Sequence, residues 1–207
     1  MHSTRTDHWD QVYSNKEPDE LSWYQVRPEI SLRLIAETGV QHDDPVLDAG
    51  GGAATLVDSL QTQGFSDITV LDISAAAIGR ARARMGDKAE TIHWITSDVT
   101  AFTPQREYAL WHDRAVFHFL VEPRDRERYV DTVLAALRPR GHLILATFGP
   151  DGPQRCSGLD TRRYGIEQLR LIFDERFELK DYELQDHVTP AGSSQQFIYS
   201  CWQVKTR

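Results

Sequence analysis

The sequence predicts a doubly wound α/β fold: a mostly parallel sheet with helices on both faces, closed at one edge by an antiparallel hairpin. Five short apolar runs of strand length recur along the chain, at 45–48, 68–72, 91–95, 108–111 and 142–148. The intervals leave room for helices, and amphipathic helical patterns occupy 53–63, 74–85 and 123–137. Two further strand-like runs, 177–184 and 196–204, follow one another with no helix-length segment between them, which fits an antiparallel pair. Near-continuous apolar strands alternating with helices imply parallel strands covered on both faces, and the right-handed crossover rule leaves few ways to connect them. The count is seven strands, five parallel and two closing.

In chain order, 7–14 and 28–38 read as helices, the second with Pro28 in its first turn and Gly39 as its stop. They are expected to cover one edge of a site. Ser74 is placed to cap the helix that follows it. The helix over 123–137 presents Tyr129, Val130, Val133, Leu134 and Leu137 on one face, and Pro139 and Gly141 are expected to end it. The stretch 149–165 is rich in Gly, Pro and Arg, and a connection of that length is more often a functional lid than filler. At 207 residues the expectation is a single domain. Its parts are an N-terminal helical cover over 1–40, a ligand-binding core over 45–148, the lid-like loop over 149–165, and a C-terminal helix with the closing strands over 166–207.

Composition excludes several functions. The chain is 40% hydrophobic and 26% charged, with no apolar run approaching the ~18 residues a membrane helix needs. Its start lacks the apolar core of a secretory signal, so the expected location is the cytoplasm, with no membrane partner. A net charge of −8 opposes attraction to a phosphate backbone, and nucleic acid is not an expected partner. Two cysteines are too few for a disulfide framework or a thiolate metal centre, and the eight histidines show no metal-ligand spacing, so no metal is expected. A monomer or homodimer is expected.

The chemistry begins at Val46-Leu47-Asp48-Ala49-Gly50-Gly51-Gly52-Ala53-Ala54, where a buried strand ends in an acid and runs into glycines that open a helix. Glycines there let the backbone approach a ligand closely. The nicotinamide fingerprint would place another glycine at position 55, where Thr55 stands, which disfavours a dehydrogenase. Asp72 ends the next strand 24 residues after Asp48, where a carboxylate accepts both hydroxyls of a ribose diol. Asp98 ends the third strand, suited to the exocyclic amine of adenine, with the Val99 N–H facing the ring. Three acids at successive strand ends describe an adenosine site.

This trio resembles the class I S-adenosylmethionine-dependent methyltransferases, with similarity running from about residue 45 to 148. Leu137-Arg138-Pro139-Arg140-Gly141 is similar to that family's Leu-Lys-Pro-Gly-Gly turn, with Arg140 in place of the first glycine. The resemblance implies a seven-stranded Rossmann-like methyltransferase fold with S-adenosyl-L-methionine as cofactor and S-adenosyl-L-homocysteine as product. It further implies that Asp48, Gly50, Gly51 and Gly52 line the methionine portion, Asp72 and Ile73 the ribose, and Asp98 and Val99 the adenine. Trp111-His112-Asp113-Arg114-Ala115-Val116 resembles the Trp-Asp-Arg-Gly-Ala-Leu segment of thiopurine S-methyltransferases and the Asp-Lys-Gly segment of some class I lysine methyltransferases. Asp113 is thereby placed at the cofactor and Arg114 toward the acceptor. Trp9-Asp10-Gln11-Val12-Tyr13 and Ser22-Trp23-Tyr24 resemble the N-terminal cover of such enzymes, with Trp9, Tyr13 and Trp23 against the cofactor.

Methyl transfer from a sulfonium needs positioning more than acid or base chemistry. If the acceptor is an amine or hydroxyl, His118 or a tyrosine such as Tyr13 or Tyr24 are the candidates to receive its proton. His118 either faces the acceptor or is packed between Phe117 and Phe119 with one satisfied hydrogen bond. His187 is expected on a loop surface, and Cys156 is not expected to be a nucleophile, because no histidine is near it in sequence. Three functions compete: methylation of a small molecule at sulfur or nitrogen, methylation of a protein lysine, and a non-catalytic module that only binds the cofactor.

Overall fold

The computed structural model describes residues 2–17 and 20–206. Strands β1 (Val46–Ala49), β2 (Ile68–Asp72), β3 (His93–Thr96), β4 (Tyr108–Arg114), β5 (Leu137–Phe148), β8 (Phe177–Val188) and β9 (Ser194–Val204) form one sheet in the order β3-β2-β1-β4-β5-β9-β8. The first five run parallel, and β9 is antiparallel to both β5 and β8. The predicted parallel sheet with a closing hairpin is therefore the observed one. From β1 the chain steps outward through β2 to β3, then crosses back to β4 on the other side of β1, where the strand order reverses. Such a switch point opens a crevice beyond the carboxyl ends of the strands.

Side chains alternate between the two faces of the sheet, as the two-residue period of a strand requires. Val46, Leu110, Ile144 and Ala146 enter one core layer with Leu34 and Ile35 of α2 (Glu29–Thr38) and Leu60 of α3 (Leu56–Thr62). Leu47, Trp111, Leu143 and Leu145 enter the other, with Tyr129 and Val133 of α5 (Pro123–Ala136) and Leu169 and Phe173 of α6 (Ile166–Phe173). Each such side chain, fully withdrawn from water, contributes roughly 1.5–3 kcal/mol before entropy is counted. The remaining helices are α1 (His2–Asn15) and α4 (Ala75–Met85). Among the described residues no helix is long and apolar enough to cross a membrane.

Several local expectations hold to the residue. Ser74 caps α4 through its hydroxyl, which accepts the Ala77 N–H at 3.1 Å, and Gly39 ends α2 at φ 73. Others are corrected. The helix expected from residue 53 begins at Leu56, because Gly51 to Thr55 are spent on a turn closed by the Ala54 N–H on the Gly51 carbonyl. α5 stops at Ala136, one residue before the expected Leu137, since the backbone is already extended there and β5 begins. Arg140 takes φ 62, the left-handed conformation its glycine counterpart adopts freely. β3 is half-exposed rather than buried on both faces, because it forms the sheet edge. The stretch 149–165 is not wholly irregular: β6 (Arg155–Cys156) and β7 (Leu159–Asp160) pair as a small antiparallel ribbon.

Candidate functional site

At the switch point lies a cavity of about 320 Å³, floored by the ends of β1, β2 and β4 and roofed by α1 and the segment after it. Trp9, Tyr13, Trp23, Asp48, Gly50, Gly51, Asp72, Ile73, Asp98, Val99 and Arg114 all line it. Sequence positions spread from 9 to 114 thus converge on one crevice.

Each glycine of the turn answers to a specific neighbour. At Gly50, with φ 72, a Cβ would stand 2.1 Å from Cγ2 of Val116. At Gly51 it would stand 2.2 Å from Oδ2 of Asp48, and at Gly52 it would meet Oδ2 of Asp72 and Cβ of Ala77, both at 2.7 Å. The turn is glycine because strand-end carboxylates press against its backbone. Gly52 does not line the cavity; its N–H donates to Oδ2 of Asp72 at 2.9 Å, and the Ser74 N–H donates to Oδ1 at 2.8 Å. Burial pushes the Asp72 carboxyl up to about 6 against those two donors, with the negative charges of Asp48 and Asp10 adding to the rise. Asp98 accepts from the Thr100 N–H at 2.8 Å and the Thr100 hydroxyl at 2.7 Å, and its other oxygen lies 3.7 Å from Arg5.

The roof is pinned to the floor. Asp10 of α1 accepts from the Ser74 hydroxyl at 2.6 Å and the Ala76 N–H at 3.2 Å, placing a carboxylate at the N-terminus of α4. That holds Trp9 edge-on to Phe119 at 5.0 Å and to Trp23 at 5.8 Å. Tyr13 is buried beneath them, and burial followed by the charge of Asp72 raises its phenol well above the ordinary value. Arg114 donates from Nε to the Tyr199 hydroxyl at 2.9 Å and from Nη1 to the Trp23 carbonyl at 2.7 Å, with its guanidinium 4.7 Å over the Phe197 ring. Its Nη2 is buried without a hydrogen-bond partner.

The cradle fits an adenosyl cofactor: glycine backbone with no room for side chains, a buried Asp48 oxygen, Oδ2, that no protein group satisfies, and two further acids along the wall. Residues 46–141 match the model of a family described as a methyltransferase domain. Nodulation protein S of Rhizobium tropici is 30% identical over 140 residues, covering 67% of this chain and 56% of that protein. Over residues 46–141 the chain is thus similar to methyltransferase domains. It spans about half the length of the curated relatives it matches. Among solved structures, N-methyltransferase NodS from Bradyrhizobium japonicum, in complex with S-adenosyl-L-homocysteine, superposes with a TM-score of 0.73 at 17% identity. That match covers 97% of this chain and 98% of that one. The Burkholderia thailandensis 1,6-didemethyltoxoflavin-N1-methyltransferase gives 0.72 at 18% identity, covering 99% and 85%.

Besides Gly52, two residues expected at the cofactor or acceptor are not brought to the cavity. Asp113 is fully buried on the opposite face of β4, where it accepts from the Val116 N–H at 3.0 Å and the Tyr129 hydroxyl at 2.6 Å. Desolvation raises its carboxyl to about 6 despite those donors. His118 is also fully buried, stacked on Phe148 with centroids 3.9 Å apart, and neither ring nitrogen has a partner. Burial, then the charge of Arg114, lowers its imidazole to about 3. Of the two positions left open for His118 by its sequence context, packing among aromatics is the one observed, but without the hydrogen bond expected there. Cys156 is buried with its thiol pushed up by desolvation, which leaves it a poor nucleophile. His187, expected on a loop, ends β8 and meets the Ser22 carbonyl at 2.8 Å.

The cavity also contains a residue the motifs did not single out. His112 lines the cavity and meets Asp48 Oδ1 through Nδ1 at 2.7 Å and the Ser31 hydroxyl through Nε2 at 2.8 Å. The signal was in the sequence as a histidine directly after the apolar run Tyr108-Ala109-Leu110-Trp111 and before Asp113. Its meaning appears only when β1 and β4 pair with Asp48 opposite His112.

Proposed function

We propose that this chain binds S-adenosyl-L-methionine at the strand ends and transfers its methyl group to a nitrogen or sulfur atom of a small molecule, releasing S-adenosyl-L-homocysteine. The observation that carries the cofactor assignment is the convergence of Asp48, Asp72 and Asp98 on one cavity with the Gly50–Gly51 turn. Asp48 faces the methionine ammonium, Asp72 with Ile73 the ribose, and Asp98 with Val99 the adenine. The cofactor supplies a methyl group already activated on a sulfonium, so the protein's work is to position an acceptor and exclude water.

The acceptor end is argued from the roof. Trp9, Tyr13, Trp23 and Phe119 close the cavity with aromatic surface, and Leu159 and Asp160 of the 149–165 segment reach its rim. A recessed, aromatic-walled cavity suits a flat small molecule better than a lysine on a folded protein. We assign residues 1–40 and 149–165 as its cover and 45–148 as the cofactor-binding core. Of the expected bases, His118 and Tyr13 are unavailable at neutral pH: His118 is buried with a lowered basicity, and Tyr13 is held as a phenol. An acceptor whose lone pair attacks without prior loss of a proton, a neutral amine or a thiolate, fits such a site. The N-methyltransferases among the similar structures point the same way. Arg114, anchored on Trp23 and Tyr199, sets the acceptor wall.

Isothermal titration with S-adenosyl-L-methionine, S-adenosyl-L-homocysteine and NAD tests this. The first two should bind and NAD should not; binding of NAD alone, or of none, refutes the assignment. Arg114→Ala should keep S-adenosyl-L-homocysteine affinity within about twofold and lower transfer to any amine or thiol the wild type turns over by at least ~10-fold, the scale of one lost charge-assisted contact. Undiminished transfer would remove Arg114 from the acceptor wall.

A further inference from the structure

From the proposed methionine subsite a buried polar chain runs inward, from Asp48 and His112 at the cavity wall to Ser31 behind them. Asp48, His112 and Ser31 are each 2% exposed or less, beside a core layer built of apolar side chains that include Leu34, Val46 and Leu110. Asp48 Oδ1 is 2.7 Å from His112 Nδ1, and His112 Nε2 is 2.8 Å from the Ser31 hydroxyl. With Oδ1 an acceptor, Nδ1 must carry the hydrogen, and a neutral ring then accepts the Ser31 O–H at Nε2. The ring is held at both nitrogens and one carboxylate oxygen is taken. The other, Oδ2, is buried, has no hydrogen-bond partner, and lies against the backbone of Gly51. Buried carboxylate oxygens without donors are costly, so the free one marks where a donor from outside the protein belongs.

We infer that His112, itself anchored by Ser31, is a positioning residue that locks the Asp48 carboxylate so that its free oxygen receives the ammonium group of the cofactor's methionine portion. This rests on the cofactor assignment above. The rotation of an aspartate about its terminal bond is soft, and without a fixed partner on Oδ1 the carboxylate would turn toward whichever donor lies nearest. The His112 ring, wedged between β4 and α2, removes that freedom. Ser31 is the reason α2 belongs to the site although no part of its side chain lines the cavity.

The test compares two probes, S-adenosyl-L-homocysteine, which has the amino acid portion, and 5′-methylthioadenosine, which lacks it. Calorimetric titrations would use wild type, His112→Phe, which removes both ring nitrogens, and His112→Asn, whose amide can still donate to Oδ1. Loss of one charge-assisted hydrogen bond's worth of orientation predicts that His112→Phe weakens S-adenosyl-L-homocysteine about 10- to 100-fold. The same variant should change 5′-methylthioadenosine by less than about twofold, and His112→Asn should recover most of the loss. A general packing defect would weaken both probes alike and would overturn the proposal. So would unchanged homocysteine-probe affinity in His112→Phe, or an Asn variant no better than the Phe variant. If the wild type binds neither probe, the cofactor assignment itself fails and this inference falls with it.

Discussion

Replacing His118 with leucine separates a catalytic histidine from a packed one. In the structure the ring is fully buried, stacked 3.9 Å from Phe148, with both nitrogens unpartnered. Its basicity falls from 6.5 to about 3 on folding, through desolvation first and the Arg114 charge second. A depressed folded value means the neutral ring's stabilisation is complete above about pH 6.5 and is lost as pH falls toward 3, because the unfolded chain takes up the proton first. The slope is about 1.4 kcal/mol per pH unit, so roughly 3 kcal/mol should disappear between pH ~7 and ~4.5. Asp72 and Asp113 titrate with the opposite sign, since both are raised to about 6 and so gain stability as pH falls through that range. The informative quantity is therefore the wild type minus His118→Leu, in which their terms cancel. Urea unfolding at a series of pH values should show the variant more stable than wild type by about 1–3 kcal/mol at neutral pH, because two orphaned polar atoms are gone. That advantage should widen by roughly 3 kcal/mol at pH ~4.5. Parallel stability curves would refute the packed, neutral histidine. Loss of methyl transfer with intact cofactor binding would restore it as a base.

Ala115 sits at φ 74 where the resembling thiopurine segment has glycine, so Ala115→Gly should raise stability by about 1 kcal/mol in thermal unfolding; a decrease would show that the alanine methyl supplies packing. Gly51→Ala drives a methyl within 2.2 Å of Asp48 Oδ2 and should abolish measurable S-adenosyl-L-homocysteine binding while the chain still folds, as judged by circular dichroism. Retained affinity would mean the turn can shift away from Asp48. Asp72→Ala removes the ribose acceptor and leaves the Gly52 and Ser74 N–H groups unpaired, so cofactor affinity should fall on the order of 2 kcal/mol, with some loss of stability. Unchanged affinity by calorimetry would dismiss Asp72 as a ribose ligand.

Much was legible before any coordinates. Apolar runs of strand length separated by helical periodicity specify a parallel sheet, because strands buried on both faces must be apolar throughout and their crossovers need helices. The acids at 48, 72 and 98 with glycines at 50 to 52 specify the ligand side, because each lies within a few residues of a strand end and needs no distant partner to be recognised. What failed to read through was whatever depended on the direction a side chain takes from β4. Arg114, His112 and Asp113 are consecutive, yet His112 and Arg114 face the cavity while Asp113 points into the layer beneath α5. Alternation is visible in a sequence, but which parity faces the ligand is set by register against β1, a contact between residues 64 apart. The lock of Ser31 on His112 joins residues 81 apart. The sequence by itself thus determined the sheet, its glycine turn and the acids along it, since these follow from local propensity and spacing. Only the tertiary structure decided which polar residues are site and which are core, because burial and hydrogen-bond partnership belong to pairs of segments rather than to any one of them.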